Sequence, residues 1–198
     1  GAMIQALVQN TLSGLGIDVI DLGLSTTPTV EMAVVFEKAD GGIILTASHN
    51  PVQWNALKLL NEKGEFLNGE NGKKILEIAE NDDYIFSEVA DLGKVIPKEG
   101  LIEKHVEAVL ALPYVDVEAI KKANLKVAVD AVNSTGGIAI PILLERLGVS
   151  QPELLYCEPN GQFPHNPEPL KEHLGDIMSL MKEKSCDLGV VVDPDVDR

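Results

Sequence analysis

The sequence contains few cysteines, few aromatic residues and few basic residues. Its 198 residues include 2 cysteines, and aromatic residues make up 4% of the chain. Cys157 and Cys186 lie in unrelated contexts, without the spacing of a cysteine metal site. Two buried thiols in a cytoplasmic protein are therefore a better interpretation than a disulfide framework.

Positive charge is scarce as well. Lys and Arg number 16 against 31 Asp and Glu, a formal net charge of −15, which argues against nucleic-acid and anionic-membrane partners. No apolar run approaches the roughly 18 residues of a membrane span, and the N-terminus lacks the basic region of a secretory signal. We expect a cytoplasmic protein, in which an anionic substrate would require a cation or a further segment for charge balance.

The order of the predicted elements indicates an α/β fold with two domains. In the first half, the strand DVIDLG, a helix capped by Thr26 or Thr27 and the strand GGIILTA form a predicted βαβ unit. In the second half, the strands KVAVDA, ELLYC and LGVVVD alternate with helices. The polar stretch 81–100 contains Gly93, Pro97 and Gly100 and marks a boundary. We therefore predict two partial α/β/α domains, residues 1–96 and 101–198, with mixed or mostly parallel sheets.

Acidic residues follow the last predicted strand, in the sequence DPDVDR. Asp193, Asp195 and Asp197 alternate, so an extended chain would place all three on one side. Two carboxylates about 4 Å apart repel by about 4 kcal/mol at an effective dielectric constant near 20. A divalent cation with oxygen ligands would remove this repulsion, and Mg²⁺ is favoured where a phosphate supplies a further ligand. The alternative is a solvated acidic loop.

A hydroxyl group follows another apolar strand, in the sequence TASHNP. No G-x-S-x-G, P-loop or G-x-G-x-x-G motif is present, so Ser48 belongs to none of those sites. A phosphorylated Ser48 would carry about −1.5 to −2 charges, and the acidic loop could hold the cation that such a group requires. A protonated His49 would also favour the anion. The alternative is a turn with an incidental hydroxyl group.

The order of five motifs along the chain resembles that of the α-D-phosphohexomutase family, which includes phosphoglucomutase/phosphomannomutase and phosphoglucosamine mutase. The motifs are STTPT, TASHNP, the NALK segment at 55–58, VDAVNSTGG and DPDVDR. The resemblance implies that Ser48 is phosphorylated and exchanges its phosphoryl group with a hexose phosphate through a bisphosphate intermediate. It also implies that Mg²⁺ is bound by the phosphoserine and by Asp193, Asp195 and Asp197.

The resemblance assigns further roles. It implies that His49 lies beside the phosphoserine, that Lys58 takes part in acid/base chemistry and that Arg198 is an active-site arginine. The family has four domains, so the resemblance also implies that domains 3 and 4, with the sugar-recognition and phosphate-binding loops, lie outside this chain. We therefore expect an N-terminal fragment that is inactive by itself.

The sequence also departs from the family's motifs. Ala56, Pro194 and Val196 stand where the family usually has glycine. A turn with positive φ at Ala56 would be strained, and because Pro194 and Val196 stiffen the aspartate-rich loop, we expect a metal site with somewhat altered geometry. These departures favour one alternative, a non-catalytic module that binds a sugar phosphate or a metal. A second alternative is a haloacid-dehalogenase-type phosphatase with Asp193 as its nucleophile, since VVVDPDV matches that motif, but it leaves TASHNP unexplained.

Overall fold

The computed structural model describes residues 1–48, 50 and 54–198. The chain forms two compact units. Unit 1 comprises residues 1–23, 30–46 and 55–99, and unit 2 comprises residues 24–29, 47–54 and 100–198. Both are α/β/α domains and their sheets are mostly parallel, which confirms the predicted fold class. Within the described part of the chain, no helix has both the length and the apolar character that crossing a bilayer requires.

Unit 1 contains two two-stranded sheets. The helices are α1 (Ala2–Gly14), α2 (Thr27–Glu37, whose first three residues are grouped with unit 2) and α3 (Gly69–Glu80), and the strands are β1 (Val19–Asp21), β2 (Gly42–Leu45), β3 (Leu57–Leu60) and β4 (Val95–Pro97). Strand β1 pairs with β4 in parallel, and β2 pairs with β3 in antiparallel orientation. Val34, Ile44 and Leu60 form the buried core of this unit.

The predicted βαβ unit differs from the observed pairing. Strands β1 and β2 lie in separate sheets, because β2 pairs with β3, the strand that follows it along the chain. The connection from β2 to β3 is shorter than the helical connection from β1 to β2, so its closure costs less entropy.

Strand β4 is an element that the sequence did not reveal, since it lies in the polar stretch assigned to the domain boundary. The chain beside it is held by the Ser13 hydroxyl, which donates to the Gly93 carbonyl at 2.6 Å, and by the Asp18 carboxylate, which accepts from the Lys94 amide at 2.7 Å. Tertiary hydrogen bonds therefore stabilise this three-residue strand, whose residues are exposed.

Unit 2 contains a three-stranded parallel sheet in the order β6-β5-β7. Its elements are α4 (Leu101–Leu110), α5 (Val117–Ala123), β5 (Val127–Asp130), α6 (Gly136–Arg146), β6 (Glu153–Leu155), α7 (Gly175–Lys184) and β7 (Leu188–Val191). The central strand β5 is buried along its whole length, as expected for a parallel strand covered on both faces. Val127, Val129, Ile140 and Leu144 form the centre of its core.

The parallel sheet determines where polar groups meet. The carboxyl ends of parallel strands lie at one edge of a sheet, and ligands of open α/β sheets bind there. Strand β5 ends with the buried Asp130, and β7 leads two residues later into Asp193. Ser48, which follows β2 in the sequence, is also grouped with unit 2.

Candidate metal centre

Residues 193–198, here called the aspartate loop, form a tight turn after β7. The Val196 amide donates to the Asp193 carbonyl at 3.1 Å, and Pro194 occupies the second position of the turn, where its fixed φ is favourable. The aspartates are therefore not aligned along one side of an extended chain. The three aspartates of the loop (Asp193, Asp195 and Asp197) converge because the backbone turns.

The three aspartates bring one carboxylate oxygen each within 4.8 Å of one another. Asp193 is 0% exposed and Asp195 4% exposed, whereas Asp197 is exposed. Together with the Ser48 hydroxyl, they are hard oxygen donors of the type that Mg²⁺ and Ca²⁺ prefer. The donor set therefore fits a divalent cation.

Asp193 connects the aspartate loop to the serine. Its Oδ1 accepts hydrogen bonds from the amides of Asp197, at 3.1 Å, and Arg198, at 3.3 Å. Its Oδ2 accepts a hydrogen bond from the Ser48 hydroxyl at 3.0 Å. Burial raises the pKa of Asp193, and the charges of Asp195 and Asp197 raise it further, against the opposing effect of the Ser48 hydrogen bond. A bound cation would offset both unfavourable effects.

Ser48 adopts a backbone conformation that is rare for residues other than glycine. Its φ of 50° lies in the left-handed region, which costs an L-residue on the order of 1 kcal/mol. The next described residue, Asn50, donates from its amide to the Ala47 carbonyl at 3.0 Å, so the chain turns at this point. Ser48 is therefore held in a strained turn, with its hydroxyl directed at Asp193.

Hydroxyl groups from elsewhere in unit 2 also hold the aspartate loop. The hydroxyls of Ser134 and Thr135 both donate to the Pro194 carbonyl, at 2.7 and 2.8 Å. The Thr27 hydroxyl donates to the Asp195 carboxylate at 2.6 Å. Sequence reasoning assigned no site role to these residues, although Thr27 lies in STTPT and the other two in NSTGG. These motifs can be recognised in the sequence, but the hydrogen bonds of their hydroxyl groups to the aspartate loop are visible only in the structure.

Val196 is a further residue whose local role became apparent only in the structure. Its φ is 62°, a costly conformation for a β-branched side chain. The side chain packs against the core of unit 2, facing the position of Gly136 at the start of α6. Apolar packing thus offsets part of the backbone strain, so the departure from glycine at position 196 is compatible with convergence of the three aspartates.

The remaining predicted site residues have different surroundings. The Arg198 guanidinium pairs with Glu168 at 3.3 Å and with Asp197 at 3.9 Å. Lys58 lies on β3 in unit 1, where its ammonium group is 5.8 Å from the centroid of the Phe66 ring. His49 lies outside the described residues. The catalytic roles of these three residues remain predictions.

Each half of the chain matches a domain model of a known protein family. Residues 1–85 match the family model described as phosphoglucomutase/phosphomannomutase, alpha/beta/alpha domain I, and residues 103–198 match alpha/beta/alpha domain II. The chain belongs to the phosphohexomutase family. This membership confirms the resemblance found in the sequence and excludes the dehalogenase-type phosphatase.

Relatives and solved structures agree with this family. A phosphoglucomutase/phosphomannomutase of Thermococcus kodakarensis is 37% identical over 100% of this chain and 43% of its own length. A phosphoglucosamine/phosphogalactosamine mutase of Sulfurisphaera tokodaii is 31% identical over 100% of this chain and 43% of its own length. A provisionally assigned phosphomannomutase structure from Thermus thermophilus has a TM-score of 0.81 and 28% identity, over 96% of this chain and 43% of its own. The chain thus spans less than half the length of these phosphohexomutases.

Proposed function

We propose that this chain is part of a Mg²⁺-dependent phosphohexomutase that interconverts hexose 1-phosphates and 6-phosphates, of the glucose or mannose type. The observation that supports this most strongly is the 3.0 Å hydrogen bond from the Ser48 hydroxyl to Asp193, within a cluster of three converging carboxylates. A phosphoryl group on Ser48 would lie beside the ligands of a divalent cation. A helix-capping or turn serine has no need of such a cluster.

In the proposed reaction, a hydroxyl oxygen of the hexose monophosphate attacks the phosphorus atom on Ser48. A new sugar O–P bond forms while the Ser48 Oγ–P bond breaks, and the sugar hydroxyl loses its proton to a base, for which Lys58 is our candidate. The resulting bisphosphate turns around, and the Ser48 Oγ attacks its other phosphorus atom. A new Oγ–P bond forms while that sugar O–P bond breaks, and the proton held by the base returns to the departing sugar oxygen. Asp193, Asp195 and Asp197 would hold Mg²⁺, which stabilises the charge that develops on the phosphoryl oxygens.

The proposal has two alternatives, one that differs in substrate and one that differs in activity. Phosphoglucosamine mutase is the alternative within the family, in keeping with the name of the Sulfurisphaera tokodaii relative. A non-catalytic sugar-phosphate module is the alternative of another class, motivated by Ala56, Pro194 and Val196. The fit of Pro194 in its turn and the packing of Val196 favour an intact metal site and therefore the enzyme.

The role of Ser48 can be tested by phosphorylation. In a protein that joins this chain to the remaining length of its relatives, incubation with Mg²⁺ and a hexose 1,6-bisphosphate should add the mass of one phosphoryl group, and peptide mapping should locate that group at Ser48. S48A should gain none, whereas the control S179A, which changes an exposed serine on α7, should behave like wild type. Phosphorylation of an aspartate, or of S48A to the wild-type extent, would overturn the assignment.

Turnover provides the second test of the function. In a protein that joins this chain to the remaining length of its relatives, S48A should lower mutase turnover by about 10⁴-fold or more, because the covalent acceptor is lost. S179A should leave turnover unchanged. Binding of a hexose phosphate without any turnover by the wild-type protein would support the non-catalytic module instead.

A further inference from the structure

Thr27, the first residue of α2, contacts Asp195 through both its backbone and its side chain. The Thr27 amide donates to the Asp195 carbonyl at 2.8 Å, and its hydroxyl donates to Asp195 Oδ2 at 2.6 Å. Thr27 is 1% exposed and Asp195 4% exposed, so water competes weakly for these bonds. The two residues are separated by 168 positions in the chain.

The geometry of the hydroxyl bond is that of a strong interaction. Bonds from a hydroxyl group to an ionised carboxylate are typically about 2.5–2.7 Å long and about twice as strong as neutral ones. The hydrogen bond from the Thr27 amide gives a partner to one of the N–H groups that the first turn of a helix leaves without an intrahelical acceptor. The positive end of the helix dipole also favours a carboxylate at this place.

Capping of α2 does not account for the Thr27 hydroxyl. The residue before it, Thr26, already has this function, since its Oγ1 accepts a hydrogen bond from the Thr29 amide at 3.2 Å. The Thr27 hydroxyl is directed instead at one carboxylate oxygen of the candidate metal centre. The terminal torsion of an aspartate is intrinsically broad, so a hydrogen bond to Oδ2 selects one orientation of the group.

We propose that Thr27 is a positioning residue of the metal centre, which orients the Asp195 carboxylate for the cation. This inference rests on the proposed function, in which the three aspartates hold Mg²⁺. Thr27 acts through Asp195 and does not touch the reacting atoms. Hydrogen-bond partners of metal ligands typically change metal affinity about 10- to 100-fold when they are removed.

Metal affinity of the chain itself tests the inference without an activity assay. The chelator-treated 198-residue chain is titrated with Mg²⁺, and separately with Mn²⁺, by calorimetry. T27V keeps the shape of the side chain but removes the donor, so we expect its Kd to rise about 10- to 100-fold. T27S keeps the donor and should bind within about threefold of wild type, even though it loses a buried methyl group.

The matched control is T29V. Thr29 is as deeply buried as Thr27 and lies two residues further along α2, but its hydroxyl contacts Thr26 and His105. T29V should lower the thermal midpoint while leaving the Mg²⁺ Kd near the wild-type value. Should T27V prove unfolded by circular dichroism, T27C takes its place with the same expected loss, since a thiol is only a weak donor.

The possible outcomes separate the two proposals. The positioning role would be overturned if T27V bound Mg²⁺ with wild-type affinity, or if T27S and T27V lost the same amount of affinity. Either result would leave the metal site itself intact. A T29V loss as large as that of T27V would also overturn the positioning role, because general destabilisation would then explain the effect. A wild-type chain that binds neither ion would overturn the metal site itself and this inference with it. The inference is supported if T27V binds Mg²⁺ more weakly than wild type and T27S binds it with an affinity near that of wild type.

Discussion

At the scale of single residues, His165 lies between two hydrogen-bond acceptors. Its Nε2 lies 2.9 Å from Asp130 Oδ2, and its Nδ1 lies 2.8 Å from the Asn166 carbonyl. A neutral imidazole carries one N–H, so only the protonated ring donates to both acceptors. Burial by itself lowers the pKa of His165, but the bonds to Asn166 and Asp130 and the negative charges of Asp130 and Asp176 outweigh it, and the pKa is raised.

This raised pKa predicts a pH-dependent contribution to stability. The folded chain binds the His165 proton more tightly than the unfolded chain, so the stabilisation is complete below the ordinary histidine pKa of about 6.5 and is lost as pH rises through the higher folded pKa. H165Q should therefore lower the free energy of unfolding more at pH 6 than at pH 9. Urea titrations of wild type and H165Q at both pH values measure the difference.

The control for this prediction uses the partner carboxylate. In a D130N background, H165Q should have a smaller and less pH-dependent effect, because the buried negative charge is gone. An H165Q effect of equal size at pH 6 and pH 9 in the wild-type background would contradict the charged pair.

Residues differ in how far the sequence alone reveals them. Ser48 and the three aspartates lie in short motifs, so their chemistry can be recognised locally, and the structure brings Ser48 and Asp193 into contact. The contact of Thr27 with Asp195 spans 168 positions, and no periodicity or spacing encodes it. The turn at Pro194 was missed for another reason: alternation of the aspartates is equally compatible with an extended strand.

At the scale of elements, the close approach between α6 and the chain after β6 depends on a glycine. A Cβ atom on Gly137, the second residue of α6, would overlap the carbonyl oxygen of Cys157. Backbone atoms cannot rotate away as side chains do, so the helix or the chain after β6 would have to shift. This contact fixes where α6 begins, and the hydroxyls of Ser134 and Thr135 lie just before it.

G137A should therefore destabilise unit 2 by about 1–3 kcal/mol, the usual cost of overpacking. The matched control is G175A at the first position of α7, where an added Cβ meets no atom within 4 Å. Alanine has the higher helix propensity, so G175A should be neutral or stabilising by up to about 1 kcal/mol. Chemical denaturation, monitored by circular dichroism, measures the free energy of unfolding of both variants. Equal values for G137A and G175A would contradict the close approach.

Prediction of elements from the sequence succeeded where apolar periodicity was long. The spacing of Ile75, Ile78 and Ala79 predicts a helix around residues 70–80, and α3 covers Gly69–Glu80. The strands of unit 2 were also predicted, because each lies in an apolar run between helices. Strand β4 was missed because its three residues are exposed and its partner β1 is distant in sequence. Local patterns carry no information on such a pairing.

At the scale of the whole chain, the proposed metal ligands belong to one unit. Ser48 and the three aspartates are all grouped with unit 2. A ligand that binds only the folded state stabilises it by about 2.7 kcal/mol at a concentration 100 times its Kd. This stabilisation should fall on the unit that contains the ligands.

Hydrogen exchange of the chain with and without Mg²⁺ tests this expectation. At 100 times the Kd, amides of β5 and β7 that exchange by unfolding of unit 2 should slow by about 100-fold, while amides of β2 and β3 should change far less. Chelation of the metal should reverse the effect, and D195N should abolish it. Equal slowing in both units, or slowing that persists in D195N, would contradict the assignment of the ligands.

The two oxygens of Asp193 serve different purposes. Oδ1 accepts the amides of Asp197 and Arg198 and so closes the turn, while Oδ2 faces Ser48. An asparagine at this position could present its NH₂ group to either side, so D193N would confuse misfolding of the turn with loss of a ligand. Asp197 is more exposed than Asp193, so its substitution disturbs less buried structure. Mutational dissection of the centre should therefore begin with Asp197 and treat Asp193 as part of the scaffold as well as of the chemistry.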